Sequence, residues 1–289
     1  VTAASETSLS STATAPLTGS GRRGGSRWRR RLLIGIVILY AGLLIIAPIG
    51  ALVYGAFADG LGGIIAALTD SKTLAAFGLT LRIAAISVVI HTIFGTILAW
   101  VLVRYRFRGR WLLNGTIDLP FAVSPVVVGY MLLLVFGRAG LLGPVLEPFD
   151  IQVAFAVPGM VLATLFVTLP FIPREVMPVL EEFGVDQEQA AHTLGATGWQ
   201  TFWRVTFPAL RWGLIYGIIL TFARALGEFG AVLVIGGGIL GRTESATLFI
   251  FRNLDERQYV AAYSAALALG LLSLILVAGT NLLRKKRAR

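Results

Sequence analysis

Residues 185–210 read VDQEQAAHTLGATGWQTFWRVTFPAL, a polar, turn-bearing passage set between long apolar runs. Its spacing predicts two short helices with a sharp corner between them. Asp186 is placed to cap the first, with Gln189 at its third position as a variant of the reciprocal capping box. Ala190, Ala191 and Leu194 carry that helix to Gly195, a residue suited to a left-handed stop. Thr197 then caps a second helix, and Gln200 repeats the box three residues on. Trp199, Phe202, Trp203 and Phe207 recur at i, i+3, i+4 and i+8, giving that helix one large apolar face. Pro208 ends it or opens the next, because proline lacks the amide proton that an interior turn requires. The plainest reading is an amphipathic surface hairpin. The sharper one is an elbow built for presentation to a partner.

What surrounds the elbow is mostly hydrocarbon. The chain has 289 residues, 56% hydrophobic and 14% charged, with a mean hydropathy of +0.80. A soluble domain of this size carries more charge, so the class is an all-α polytopic membrane protein. Apolar runs of about 20 residues, enough to cross roughly 30 Å of hydrocarbon, fall at about 32–54, 74–103, 112–137, 153–173, 209–236 and 259–283. Six transmembrane helices in one domain, 32–283, are therefore expected. Residues 1–31 form a tail whose first twenty residues are rich in Ser, Thr, Ala and Gly and are expected to be disordered. The arginines that follow abut an apolar run too long for a signal peptide, with no prompt cleavage site, so it reads as a retained anchor. Residues 284–289 are a second, basic tail.

Charge placement sets the expected orientation. Of the 25 Lys and Arg residues, 18 fall on one side. They lie in residues 22–31, at Arg104, Arg106, Arg108 and Arg110, at Arg174, Arg204 and Arg211, and in 284–289. The positive-inside rule then puts both termini and the loop 174–208 in the cytoplasm. The net charge of +10 so reports topology, not nucleic-acid binding. On the other side, a short helix over 62–68 is expected to lie along the interface, and 236–259 is the longest loop.

Several chemistries are excluded. The chain has no cysteine, so it forms neither disulfides nor thiolate metal sites. His91 and His192 are too few and too far apart for an imidazole site. GxxxxGK[ST], HExxH and GxSxG are all missing, so nucleotide binding through a P-loop and the common hydrolase chemistries have no motif here. Energy must come from a partner or a gradient.

Ionisable groups at membrane depth are costly and mark candidate sites. Arg224 and Glu228, in ARALGEFG, are four residues apart and can neutralise each other on one helix face. Gly213, Gly217 and Ala231 share roughly that face, which permits close helix approach or an open path. Asp118-Leu119-Pro120 and Ser124-Pro125 place two prolines about five residues apart, inviting kinks whose freed carbonyls need partners or a cavity. Ser124, Pro125, Arg224 and Glu228 are thus the candidates for a translocation path, with simple packing as the alternative for each. His91 reads as a hydrogen-bonded packing residue, and Arg82 as a side chain that snorkels outward.

Gln189-Ala190-Ala191, Gly195 and Val205-Thr206-Phe207-Pro208 keep the spacing of the EAA loop, and the passage resembles that loop in bacterial ABC importer permeases. The family pattern is Glu-Ala-Ala, three residues, Gly, nine residues, then Ile-x-Leu-Pro. Here Gln189 replaces the Glu, with Glu188 one place early, and Val205 and Phe207 replace Ile and Leu. IDLPFAVSPVVVGY (117–130), FVTLPFIPREVMPVLEEFG (166–184) and RWGLIYGIILTFARALGEFGAV (211–232) resemble the oxyanion branch, in particular permeases of the sulfate/thiosulfate CysW type. The resemblance covers nearly all of 32–283.

It implies a type I importer (MetI-like) bundle in the bacterial plasma membrane, without catalytic residues or a bound cofactor of its own. ATP and Mg would reside on a partner. The partners implied are a sister permease of the CysT type, two copies of a cytoplasmic ATPase subunit, an extracytoplasmic sulfate-binding protein and membrane lipid. Glu188, Gln189, Ala190, Ala191, Leu194, Gly195, Trp199 and Pro208 would couple the chain to the ATPase. A molybdate or tungstate importer, a stand-alone gradient-driven carrier and an intramembrane enzyme are the alternatives.

Overall fold

In hydrocarbon a backbone must satisfy its own hydrogen bonds, and the apolar runs of this chain do so as helices. The computed structural model describes residues 27–287, with no strand among them; of the tail expected over residues 1–31, residues 1–26 lie outside that range, and 27–31 form the start of a helix instead. Contacts divide the chain into two units that meet between Ile49 and Gly50. The first holds most of α1 (Arg27–Ala56), which opens on arginines and is apolar on all sides from Leu32 to Ile49.

In the second unit α2 (Gly60–Thr69) fulfils the expectation of a helix at 62–68. Asp70 then caps α3 (Ser71–Arg104) by accepting the amides of Lys72 and Thr73 at 3.0 and 3.4 Å. The chain continues through α4 (Arg110–Ala122), α5 (Pro125–Phe136) and the short α6 (Gly143–Leu146). Next come α7 (Val157–Thr168), α8 (Phe171–Phe183), α9 (Asp186–Thr193) and α10 (Gly198–Thr201). The last four are α11 (Phe207–Leu226), α12 (Gly230–Gly236), α13 (Ala246–Asp255) and α14 (Tyr259–Arg287). Among the described residues five helices are long and apolar enough to cross a membrane, or six when the bent pair α4–α5 counts as one.

Four helical segments differ from the sequence expectation. The run expected at 112–137 is not one rod: α4 and α5 meet at 114°, because Pro125 holds Ser124 extended (ψ 134°). The helical stretch through α7 and α8 runs on to Phe183, so the first ten residues of the expected loop 174–208 belong to α8. The run at 209–236 instead begins at Gly198, where α10 passes through a π turn (Phe202–Thr206) into α11. It stops at Gly227, and α12 sets off separately. Within the expected loop 236–259, Ser245 caps α13 through the amide of Leu248. Arg252 on that helix binds Glu244 at 2.6 Å and Glu256 at 2.9 Å. The Glu244 hydrogen bond raises the guanidinium pKa above its ordinary value.

The core is made by α3, α8 and α11 packing on one another, beside α12 packed on α5 and α7. Ile172, Val176, Leu180, Leu210 and Leu214 are buried in the first group, and Val128, Met160, Ala163, Ala231 and Ile235 in the second. The predicted close helix approach is real at Gly213, where an added Cβ would sit 2.9 Å from the backbone oxygen of Glu175. Backbone cannot yield as a flexible side chain does. Gly213→Leu should therefore lower stability by about 1–3 kcal/mol, read as a fall in the thermal unfolding midpoint of the detergent-solubilised protein; Gly270→Leu, where the added carbon meets nothing within 4 Å, should leave it unchanged.

Candidate functional site

The elbow is built much as its spacing predicts at the corner, and differently at its start. Asp186 is the first residue of α9, not its cap: Val185 precedes the helix and no side chain caps it. The expected Asp186–Gln189 box is thus not formed, and Asp186 instead places negative charge in the first turn, where the helix dipole favours it. At the other end Gly195 takes φ +82°. Its amide donates to His192 O (3.0 Å) and that of Ala196 to Ala191 O (3.0 Å), the paired bonds of a Schellman stop. The second box is complete: Thr197 Oγ1 accepts from the Gln200 amide, and Gln200 Oε1 accepts from the Thr197 amide.

The elbow is anchored by a contact the sequence reading missed. Glu188, half-buried, turns inward: its Oε1 accepts from Arg104 Nη2 and from Thr206 Oγ1, each at 3.0 Å. Arg104 also donates to Leu180 O (3.3 Å) and Gly184 O (2.5 Å), carbonyls at the end of α8, the first of which also accepts the Gly184 amide. One guanidinium therefore joins the end of α3, the end of α8 and the start of α9. Its own helix adds Trp100, which lies under the guanidinium at 5.6 Å and packs edge-on against Phe202 at 5.9 Å. Nothing singled out Arg104 among four arginines in seven residues, and Glu188 lies 84 positions away.

The outer face is left open. Gln189 and Ala190 are exposed, Leu194 is 88% exposed and Trp199 71%. Trp199 packs on Phe202 and Trp203, and Trp203 on Phe207 (4.9 Å), so the aromatic face is continuous across the π turn. Pro208 opens α11.

The path candidates also come together. The break between α4 and α5 borders a cavity of about 450 Å³ lined by Pro120, Ser124, Pro125, Val167, Phe171 and Arg224. Arg224 pairs with Glu228 at 2.8 Å. Glu228 is not on the same helix, however, because α11 ends at Leu226. Its side chain is 1% exposed, and its Oε1 accepts the Ala231 amide at 3.1 Å at the start of α12. The carboxylate thus stands behind the cavity, while Arg224 lines it. Gly213 and Gly217 face α8 instead of this opening. A second ion pair was not foreseen: Arg174 on α8 binds both carboxylate oxygens of Asp118 on α4, with Nε at 2.9 Å. His91 is the packing residue expected, its Nε2 2.9 Å from Leu165 O.

Long apolar helices, one broken at a cavity and two joined through a capped polar elbow, define a multi-pass helical membrane protein. The chain matches the family model "Binding-protein-dependent transport system inner membrane component" over residues 91–289, and it belongs to that family of inner-membrane transport components. It is 50% identical over 257 residues to the sulfate transport system permease protein CysW of Synechococcus elongatus, covering 89% of this chain and 90% of that one. It is 40% identical over 258 residues to the sulfate transport system permease protein CysT of Escherichia coli, covering 89% and 93%. A bacterial alginate ABC transporter, solved with an alginate pentasaccharide-bound periplasmic protein, shares the fold at a TM-score of 0.75 and 16% identity, over 91% of this chain and 96% of that one.

Removing the Glu188 charge leaves Arg104 half-buried without its counter-ion, a loss of the kind that costs several kcal/mol. Glu188→Gln should therefore speed amide hydrogen exchange across 186–196 by about tenfold or more, while exchange in α14 stays as in the wild type.

Proposed function

We propose that this chain is a permease subunit of an ATP-driven importer of sulfate or thiosulfate, coupled through its elbow to an ATPase on another chain. The observation that carries the reading is the elbow. It is stopped at Gly195, boxed at Thr197 and tied by Glu188 to Arg104, yet it holds Leu194 and Trp199 in the open. A rigid helix with exposed apolar residues suits a groove on a partner that moves as a body. Gln189, Ala190, Ala191, Leu194, Gly195, Trp199 and Pro208 form or shape that contact, and Glu188 holds it from within. ATP and Mg belong to the ATPase, of which two copies serve the complex, and this chain binds neither.

The substrate class and the remaining partners follow from the relatives. The CysW and CysT likenesses favour a heterodimer of sister permeases, and the alginate transporter's periplasmic protein favours an extracytoplasmic binding protein as donor. The elbow, the arginine-rich turn at 104–110 and both termini then face the cytoplasm. The relatives are named for sulfate, so molybdate is not the reading adopted. For a tetrahedral dianion, the cavity at Ser124 and Pro125 supplies the passage and Arg224 the attraction. Glu228 offsets that charge, so that the ion is held weakly enough to leave.

The test is uptake of radiolabelled sulfate, with thiosulfate and molybdate as competitors, in cells lacking this protein and complemented with variants. Gly195→Asp forces a side chain into a left-handed backbone and should reduce uptake to the level of the deletion, with the protein still in the membrane. Arg224→Ala should lower uptake by about tenfold, the order expected for roughly 1.4 kcal/mol of lost attraction. Sulfate uptake unchanged by deletion would overturn the substrate; full uptake with Arg224→Ala would overturn its place in the path.

A further inference from the structure

The turn between α3 and α4 reads YRFRGRW over 105–111, arginine alternating with aromatic side chains. It opens on a cavity of about 760 Å³, whose lining includes Arg108, Arg110, Trp111, Asn114, Arg174 and Glu181. Arg174 is committed to Asp118, and it also donates to Asn114 O. Arg108 and Arg110 enter no ion pair among the described residues. Asn114 Oδ1 is buried without a hydrogen-bond partner. Glu181, also outside the ion pairs, is the one carboxylate on the wall against Arg108 and Arg110, so the net unpaired charge facing the cavity is positive. The wall has an open apolar side at Phe107, exposed, and Trp111, 77% exposed, and Tyr105 and Leu112, close to them along the chain, are exposed as well. Aromatic rings beside arginines are the side chains that settle at the level of lipid headgroups.

We propose that this cavity binds a phosphate group, held by Arg108 and Arg110, and that its apolar rim selects the headgroup of an anionic phospholipid over free inorganic phosphate. Guanidinium groups match phosphate oxygens in pairs. The volume accommodates a headgroup with its glycerol, and the exposed Trp111 and Leu112 offer the acyl chains a surface. The site shares no lining residue with the cavity at Ser124 and Arg224, and it does not depend on which anion the transporter carries.

The full-length protein in nanodiscs tests this by tryptophan fluorescence. Brominated phosphatidylglycerol and brominated phosphatidylcholine are compared as quenchers, and Trp111→Phe isolates the signal of one tryptophan. The expected result is a preference of Trp111 for the anionic lipid on the order of tenfold, abolished in the double variant Arg108→Gln/Arg110→Gln. Arg106→Gln removes a charge from the same turn outside the cavity and should keep most of the preference. It is the control against general surface attraction. In nanodiscs without anionic lipid, inorganic phosphate should leave Trp111 emission unchanged. A phosphate response lost in the double variant, with no lipid preference, would move the site to the free ion and overturn the lipid assignment. Equal quenching by both lipids with no phosphate response, or a preference that Arg106→Gln abolishes as fully as the double variant, would overturn the site itself.

Discussion

A carboxylate inside an apolar helix bundle persists only if its charge and its lone pairs are both taken up. Glu228 has its charge met and one oxygen hydrogen-bonded, while Oε2 keeps only the ion-pair contact, and in doing so it holds the broken part of the fold together. Its charge is met by Arg224 at the end of α11, and its second oxygen accepts the Ala231 amide, one of the open donors at the start of α12. Its backbone carbonyl accepts the hydroxyl of Thr247 on α13 at 2.7 Å. Three helices thus meet at one residue in a segment that no regular helix covers. The short α12 is held there, and through it α5, whose first residues lie against Gly230. The cavity beside Ser124 therefore depends on a chain of contacts that begins at Glu228: without that residue, α11 and α12 would have no common partner for their open ends.

Arg104 plays the corresponding part at the other end of α8. Its donors reach carbonyls at the end of α8 and hold Glu188, so the first helix of the elbow is tied to two long helices. The difference between the two arginines is instructive. Arg104 spends its donors inward on protein, whereas Arg224 gives one nitrogen to Glu228 and lines an opening. Positive charge whose terminal nitrogens are both bound to protein locks a joint. Positive charge that is partly free can meet an anion.

The sequence made visible whatever depends on neighbours along the chain. The Gly195 stop and the Thr197–Gln200 box are local, and both formed where the residue types placed them. The six apolar runs were legible because hydrocarbon thickness sets their length. The breaks were only half legible. Pro120 and Pro125 signalled a bend, and Pro125 makes it by holding Ser124 extended, but the 114° angle itself was not legible. The stop at Gly227 lay inside a run that hydropathy joins without a seam. Asp186 looked like a cap because its type fits that role, yet it is the first residue of the helix and Val185 precedes it. Arg104–Glu188 and Arg174–Asp118 could not be read at all: the partners lie 84 and 56 positions apart, and no local pattern links them.

The elbow and the cavity are also joined covalently, by one helix. From Gly198, one residue after the Thr197 cap, α10, the π turn and α11 run without interruption to Leu226. At 1.5 Å per residue the distance from the elbow to Arg224 is roughly 40 Å along that axis. A helix resists bending, so a displacement applied near Thr197 reaches Arg224 largely as motion of the whole rod. Two features decide how faithfully it arrives. Gly213 and Gly217 seat the rod closely on α8, which forces the two to move together. The π turn at Phe202–Thr206 is the one place where the hydrogen-bond ladder is widened. There Trp100, Trp203 and Phe207 pack around Phe202, and Thr206 is bound to Glu188. The weakest turn of the rod is thus braced by the same Glu188 that Arg104 holds, so elbow and rod share a single anchor.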